Sequence, residues 1–358
     1  MNKIDLENYG LDQRIKQEAS LYSNLFVARV TEQHRDLYKV VAEKGELLAE
    51  VSGKFAFDAG DNTSFPVVGD WVMIDRTEAD SGHAVIHQVL SRKSLFERKA
   101  AGTSGGSQIV AANFDLVFIC MSLNNDFNLR RLERYLSIAW NSKARPVIVL
   151  TKADLCDDLA ARLRDISAVR VGTDVVVCSS VDNRGYEQIA AYLAPGKTIV
   201  FLGSSGVGKS TIINHLIGAE VLATKGLRSD DKGRHTTTHR QLLRLPGGGV
   251  VIDTPGMREL HLDSADLSRS FTDIESLAAQ CRFGDCSHLG EPGCAVKAAV
   301  ESGHLSEKRL ENYRKLQKEL GYEGLNSRQL EAEKIKKMFG SKGEMKQLMR
   351  QAKNKNKR

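Results

Sequence analysis

An apolar run that leads through a glycine-rich loop into a helical segment is the feature that most constrains this sequence. KTIVFL is followed by GSSGVGKS and then by STIINHLIG. A G-x-x-x-x-G-K-S sequence between a strand and a helix is typical of a phosphate-binding loop, because glycines let backbone N–H groups surround phosphate oxygens and the helix N-terminus adds partial positive charge. The alternative, a chance glycine-rich turn, fits these flanks poorly. The pattern predicts an α/β domain with a phosphate site at Gly203, Ser204, Ser205, Gly206, Val207, Gly208, Lys209 and Ser210.

Polar residues in and after this loop are candidates for binding a nucleoside triphosphate with Mg²⁺. Lys209 is expected to reach the β- and γ-phosphates, Ser210 to ligate Mg²⁺ and Thr211 to contact the α-phosphate. Asp253, at the end of the strand GVVI, is expected to hold Mg²⁺ directly or through water, and the Gly256 N–H to bond the γ-phosphate. D-T-P-G alone is also an ordinary turn, but its place fifty residues after the start of the loop favours the nucleotide interpretation.

A second polar motif, Thr151-Lys152-Ala153-Asp154, follows the strand RPVIVL and predicts recognition of guanine. A carboxylate at Asp154 accepts two hydrogen bonds from guanine N1–H and its amino group, whereas adenine has no such donor pair and is rejected. The stem of Lys152 is expected to cover the base, and a backbone N–H at Ser179 or Ser180 to reach guanine O6. This motif usually begins with Asn, so Thr151 is expected to weaken one hydrogen bond.

The order of these motifs is permuted relative to an ordinary GTPase, in which the base-reading motif follows the phosphate motifs. Here T-K-A-D at residue 151 precedes the phosphate loop at 203 and D-T-P-G at 253. Cutting and rejoining a chain elsewhere gives the same sheet, which is tolerated because domain termini tend to lie close together. The sequence therefore predicts a circularly permuted GTPase domain.

The segment between the phosphate-loop helix and the strand QLLRL has the position of a switch loop. Thr237, within RHTTTHR, is expected to ligate Mg²⁺ when GTP is bound. The D-T-P-G motif is followed by M-R-E rather than by the Gln that orients water in Ras-like enzymes, so unaided hydrolysis is expected to be slow. His235 is the candidate for assisting hydrolysis, and the alternative for both residues is a solvated basic loop.

Three cysteines and a histidine follow the GTPase motifs at the spacing of a structural zinc site. Three thiolates and one imidazole form a closed tetrahedral set without a catalytic water. The alternatives are a disulfide or free thiols, which suit a reduced, cytosolic chain less well. His304 and His261 have less suitable spacing as substitutes for the histidine. The predicted ligands are Cys281, Cys286, His288 and Cys294.

Strand and helix patterns divide the chain into six segments. Short alternating strands predict a small OB-fold barrel, which either binds an oligonucleotide or is purely structural. Its Trp71, Phe55 and Phe57 either stack on bases or belong to the core. Alternating strands and helices then predict a mostly parallel sheet. The segments are a polar lead (1–24), the OB-fold (25–92), a basic, glycine-rich flexible linker (93–112), the GTPase domain (113–264), a helical zinc-binding domain (265–327) and a basic tail (328–358).

Charge and hydropathy restrict the partners and the compartment. No apolar run approaches the ~18 residues that span a bilayer, and the N-terminus lacks the apolar stretch of a secretory signal, so we expect a cytoplasmic protein without membrane contact. Residues 331–358 carry ten Lys/Arg and three Glu, although the whole chain has a net charge of only +6. Such a tail indicates a polyanionic partner or a solubilising, disordered end.

With these motifs in hand, the sequence resembles the RsgA (YjeQ/YloQ) family of bacterial GTPases over roughly residues 25–325. The resemblance implies an OB-fold, a permuted GTPase and a zinc domain that clamp ribosomal RNA of the small subunit during its late assembly. It also implies slow GTP hydrolysis stimulated by the subunit, release of other assembly factors, and a monomer that exchanges GTP and GDP. His235 matches the family's proposed hydrolysis-assisting histidine, whereas Thr151, the long lead and the basic tail depart from the pattern.

Two other functions stay open on the sequence alone. A pure binding module would use nucleotide only to stabilise its fold, and it would show no turnover even with ribosomal subunits. A permuted GTPase acting on another RNA, or on DNA, would be stimulated by that nucleic acid instead.

Overall fold

The computed structural model describes residues 3–34, 37–78, 82–99, 107–170, 172–222, 240–253 and 266–320. His235, Thr237, Gly256 and the basic tail (328–358) lie outside the described residues, so their predicted roles stay predictions.

The N-terminal lead packs on the barrel rather than extending from it. A 3₁₀ turn (Leu6–Tyr9) is followed by helix α1 (Gln13–Ala19), and the side chain of Asp12 caps the helix by accepting from the Ile15 N–H at 2.9 Å. Leu6 and Ile15 are buried in a cluster with Trp71 of the barrel. The lead therefore covers an apolar face of the barrel.

Five strands form the predicted barrel: β1 (Phe26–Gln33), β2 (Tyr38–Ala42), β3 (Gly45–Val51), β4 (Trp71–Ile74) and β5 (Ala84–Val89), with helix α2 (Gly53–Asp58) between β3 and β4. They pair in the order β1-β2-β3-β5-β4, and β4 pairs back with β1, which closes the barrel and confirms the OB-like fold. Trp71 is a core residue at 2% exposure, whereas Phe57 on α2 is 89% exposed.

The segment predicted to be a flexible linker instead contains two paired strands. β6 (Leu95–Lys99) and β7 (Ser107–Ala112) form an antiparallel pair. Phe96 is buried and its ring lies 4.7 Å from that of Phe114, while Ile109 and Val110 are also buried. The basic and glycine-rich residues suggested a linker, but Phe96 and the apolar end of β7 are buried in the core and pack both strands on the GTPase domain.

The central domain is the predicted α/β sheet. Its elements are β8 (Leu116–Ser122), α3 (Leu129–Asn141), β9 (Arg145–Thr151), α4 (Leu159–Ser167), β10 (Asp174–Val177), α5 (Tyr186–Ala190), β11 (Thr198–Leu202), α6 (Lys209–Ile217), β12 (Gln241–Arg244) and β13 (Val250–Asp253). The strand order is β10-β9-β8-β11-β13-β12, with all neighbours parallel except β12 and β13. Because parallel strands end at one edge of a sheet, the carboxyl ends of β9, β10, β11 and β13 lie together there.

A buried arginine joins the barrel to the GTPase sheet. Arg29 of β1 donates from Nη1 to Thr198 Oγ1 at 2.9 Å and to the Tyr9 carbonyl. Its Nη2 donates to the Asn113 carbonyl at 2.9 Å and its Nε to the Gly69 carbonyl at 3.2 Å. Burial lowers the pKa of Arg29 to about 10, so the side chain stays charged at neutral pH. Each of these hydrogen bonds therefore has a cationic donor. The lead, the barrel and the GTPase sheet all contact this one side chain.

The C-terminal module packs on α3 of the GTPase domain. It contains α7 (Thr272–Ala278), α8 (Ala295–Glu301) and α9 (Glu307–Leu320). Arg309 of α9 forms ion pairs with Asp273 of α7 at 2.7 Å and with Glu133 of α3 at 2.5 Å. Burial raises the pKa of Glu133, and the Arg309 cation opposes that shift. Removing one partner of such a buried pair leaves an uncompensated charge, so this contact holds α3 and the module together.

Candidate nucleotide and metal sites

The glycine-rich loop connects β11 to α6, as its sequence context predicts. Gly206 and Gly208 have φ of 73° and 105°, a left-handed backbone that glycine adopts without strain. A Cβ on Gly203 would lie 2.6 Å from the Cys120 carbonyl oxygen, so no larger residue fits beside β8. The glycines thus allow the tight turn that a phosphate-binding loop requires.

Lys209, the first residue of α6, points back across the loop. Its Nζ donates to the Gly203 and Ser204 carbonyl oxygens, both at 2.7 Å. Ser210 and Thr211 follow in the same first turn and are half-buried. The ammonium group lies where it can contact phosphate oxygens that enter the loop.

Thr151, at the end of β9, is joined directly to the phosphate loop. Its Oγ1 donates to the Val207 carbonyl oxygen at 2.6 Å, and Thr151 is 3% exposed. Where the usual motif has Asn, threonine thus makes a hydrogen bond to the loop. The base-reading and phosphate-binding segments are therefore adjacent, although they are separated by 56 residues in the sequence.

Replacing Thr151 with valine should weaken nucleotide binding, because the near-isosteric side chain leaves the buried Val207 carbonyl without its donor. A buried unsatisfied acceptor costs about 1–3 kcal/mol, so we expect roughly five- to hundredfold weaker binding of GTP and GDP alike. Titration with fluorescent GTP and GDP analogues would measure this. Thr151→Ser, which keeps the hydroxyl, is the control, and unchanged affinity in the valine variant would contradict the role of the hydrogen bond.

The remaining guanine-site candidates lie beside Thr151. Lys152 has a left-handed backbone with φ of 56°, which turns the chain out of β9. Ser179 Oγ donates to Asp154 Oδ1 at 2.6 Å, and the Ala153 N–H donates to the Cys178 carbonyl at 3.2 Å. Ser180 is exposed next to this contact. The arrangement presents an exposed carboxylate with one oxygen held by a serine, and such a carboxylate can accept hydrogen bonds from a base.

Asp253 ends β13, which pairs in parallel with β11 beside the phosphate loop. It is 7% exposed. Burial raises the pKa of Asp253, and the Lys209 cation opposes that shift. Such a carboxylate, close to a lysine and shielded from water, is a suitable ligand for a divalent cation.

The structure adds a residue that no sequence motif indicated. Arg131, in the first turn of α3, donates from Nη1 to Ser204 Oγ of the phosphate loop at 2.8 Å. The one indication of this contact is the position of α3, which follows β8, and β8 is the neighbour of β11 in the parallel sheet. Because that pairing is not evident in the sequence, Arg131 could not be selected from the other arginines.

The four predicted metal ligands converge at one point between α7 and α8. Their ligand atoms all lie within 4.8 Å of one another. His288 Nδ1 is 3.6 Å from Cys281 Sγ and 3.5 Å from Cys294 Sγ, and the two sulfurs are 3.9 Å apart. A tetrahedral zinc site with its usual bond lengths has neighbouring donors about 3.5–3.8 Å apart. The cluster of Cys281, Cys286, His288 and Cys294 can therefore hold a metal ion.

Neighbouring side chains support the ligand loop around His288. Glu291 accepts from the N–H groups of Ser287, Leu289 and Gly290 at 2.8, 2.9 and 3.0 Å. The Ser287 hydroxyl, followed by backbone N–H donors that include those of Gly290 and Ser287, holds the pKa of Glu291 well below its usual range. Burial, and then the Arg314 cation, lowers the pKa of His288, which favours the neutral ring that a metal ligand needs.

With this geometry described, comparison with known proteins identifies the family. A model of the RsgA GTPase family matches residues 89–263. "Small ribosomal subunit biogenesis GTPase RsgA 2" of Lactiplantibacillus plantarum is 52% identical over 96% of this chain and 97% of its own length.

The chain belongs to the RsgA GTPase family. It is therefore a GTPase, as its motifs predicted. The RsgA protein of Methanosarcina acetivorans is 41% identical over 92% of this chain and 90% of its own. No helix in the described part of this RsgA-family GTPase is long and apolar enough to cross a membrane.

Two solved structures share the fold. YjeQ from Thermotoga maritima is 30% identical with a TM-score of 0.60, over 83% of this chain and 98% of that one. YloQ, described as a circularly permuted GTPase, is 24% identical with the same TM-score of 0.60, over 84% of this chain and 96% of that one. The permuted motif order, the OB-like barrel and the Cys/His cluster together confirm the predicted fold class.

Proposed function

We propose that this RsgA-family GTPase binds the small ribosomal subunit through its RNA and assists the late maturation of that subunit, with GTP hydrolysis controlling its departure. The observation that carries the GTP-dependent part of the proposal is the hydrogen bond from Thr151 to Val207, which brings the guanine-reading motif beside the phosphate loop. The names of the relatives from L. plantarum and M. acetivorans, which refer to small-subunit biogenesis, support the choice of target.

In the proposed nucleotide site, each described residue has a role set by its position. The N–H groups of the phosphate loop and the Lys209 ammonium bind the phosphates. Asp154 accepts hydrogen bonds from the guanine edge, and Ser179 orients the Asp154 carboxylate. Ser210 and Asp253 would hold Mg²⁺, which neutralises phosphate charge when it is bound. Thr237 and Gly256 would complete the γ-phosphate contacts, and His235 would assist the attacking water.

The C-terminal cluster is proposed to bind one structural zinc ion. Three thiolates and an imidazole occupy all four tetrahedral positions, which leaves none for a catalytic water. The module, the barrel and the basic tail are proposed to contact ribosomal RNA in the cytoplasm. Such contacts to phosphates weaken as salt concentration rises.

The decisive measurement is GTP hydrolysis at physiological salt with purified small or large ribosomal subunits. We expect small subunits to raise the rate about tenfold or more, because repositioning one catalytic group lowers the barrier by at least ~1.4 kcal/mol. Large subunits are the control and should have little effect. Equal stimulation by both subunits, or by neither, would contradict the proposed target and favour another RNA.

A further inference from the structure

Arg131 contacts the phosphate loop from outside the nucleotide-binding motifs. Its Nη1 lies 2.8 Å from Ser204 Oγ and 2.8 Å from Asp126 Oδ2. The side chain of Arg131 is 30% exposed, so it is partly shielded from water. The Nη1 group of Arg131 therefore bridges a carboxylate and the Ser204 hydroxyl with its two N–H donors.

The backbone that presents Arg131 is held by its own hydrogen bonds. Asn128 caps α3 by accepting from the Arg131 N–H at 3.0 Å. Asn124 Oδ1 accepts from Ser122 Oγ at 2.8 Å and from the Asp126 N–H at 3.1 Å. The turn between β8 and α3 is therefore held by hydrogen bonds from its own side chains.

Helix α3 is also fixed at its opposite side. Two residues after Arg131, Glu133 pairs with Arg309 at 2.5 Å and accepts from Asn312 Nδ2 at 2.5 Å. Because these groups are buried, α3 cannot slide without breaking charged contacts. The Arg131 guanidinium therefore belongs to a helix that is held by the C-terminal module as well as by the GTPase sheet.

Ser204 accepts hydrogen bonds on both its side chain and its backbone. Arg131 contacts its hydroxyl, and Lys209 Nζ contacts its carbonyl at 2.7 Å. Phosphate oxygens that enter the loop compete for Lys209, because a charged acceptor is stronger than a carbonyl. If Lys209 leaves the Ser204 carbonyl for the phosphates, the hydrogen bond from Arg131 to the Ser204 hydroxyl still holds this residue in place.

We propose that Arg131 is a positioning residue for GTP hydrolysis: it fixes Ser204, and thereby the first bend of the phosphate loop, in the geometry needed for turnover. This inference rests on the proposed assignment of the loop as the GTP phosphate site. Small misplacements of catalytic groups reduce rates by up to about a hundredfold with less effect on binding. Loss of Arg131 should therefore lower kcat about ten- to hundredfold and change KM less than about threefold.

The test compares variants in steady-state and single-turnover GTP hydrolysis. Arg131→Ala and Arg131→Gln remove the cation, and the glutamine variant keeps a polar side chain in case alanine impairs folding. Arg131→Lys should recover part of kcat. Arg130→Ala is the matched control, since Arg130 lies on the same turn but is 47% exposed and pairs with Glu311 at 2.7 Å. It should retain wild-type kcat.

A double-mutant cycle shows whether Arg131 affects kcat through Ser204. If Arg131 acts through Ser204, then Ser204→Ala lowers kcat similarly, and the double variant is no slower than either single variant. Additive losses, or Arg131 variants that match Arg130→Ala, would overturn the inference. Failure of the proposed site itself is distinguishable, because wild-type protein would then bind GTP analogues no better than the Lys209→Ala variant does.

Discussion

Lys209→Ala is expected to abolish detectable GTP hydrolysis, with a loss of about a thousandfold or more. Its ammonium lies 2.7 Å from two carbonyl oxygens of the loop, so alanine removes the cation that the phosphates would meet there. Removing a single preorganised hydrogen-bond donor from a shielded site typically costs about 10²–10³ in rate, and the charge of lysine adds to this. Single-turnover hydrolysis with protein in excess over GTP would measure the loss.

Lys197 provides a matched control at the other end of the same strand. It precedes β11, its side chain is 53% exposed, and its Nζ lies 3.7 Å from Asp115 Oδ1. Lys197→Ala removes the same charge from the protein without touching the loop, so its hydrolysis rate should equal that of wild type. A Lys209→Ala variant that keeps more than about a tenth of wild-type activity would contradict the assignment, because that loss is only ~1.4 kcal/mol.

Cys294→Ser, or removal of metal with a chelator, is expected to unfold the C-terminal module. Structural zinc supplies roughly 10–16 kcal/mol of binding free energy in small zinc domains, which is more than a module of this size gains from its own core. Cys294 also caps α8, accepting from the Lys297 N–H at 3.4 Å, so its loss affects the helix as well as the ion. Bound zinc measured by mass spectrometry and hydrogen exchange in α7–α9 would report both effects.

The unfolding should extend to α3 but spare the barrel. Arg309 links α9 to Glu133, so exchange in α3 should increase with that in the module. Cys156→Ser is the control, because this partly exposed cysteine lies outside the cluster and should leave the zinc content at one per chain. A Cys294→Ser variant with full zinc and unchanged exchange would show that the cluster does not stabilise the module.

Most element types and the metal ligands could be predicted because their signals are local. The alternation of GELLAEVSG and the run KTIVFLG predict strands irrespective of distant residues, and β3 and β11 are found there. Four ligands within fourteen residues can meet around one ion with only short turns between them. The pairing of β6 and β7 was missed because both strands are short, β6 is basic, and a glycine-rich segment separates them in the sequence.

The sequence by itself determined the chemistry: a phosphate loop, a guanine-reading motif in permuted order and a Cys/His cluster, each defined by residues close together in the chain. Only the tertiary structure decided which of these segments meet. The contacts of Thr151 with Val207, of Arg131 with Ser204 and of Arg29 with Thr198 join residues 56, 73 and 169 positions apart. Such contacts depend on strand order and on how α3 packs, because local propensity defines an element but not its neighbour.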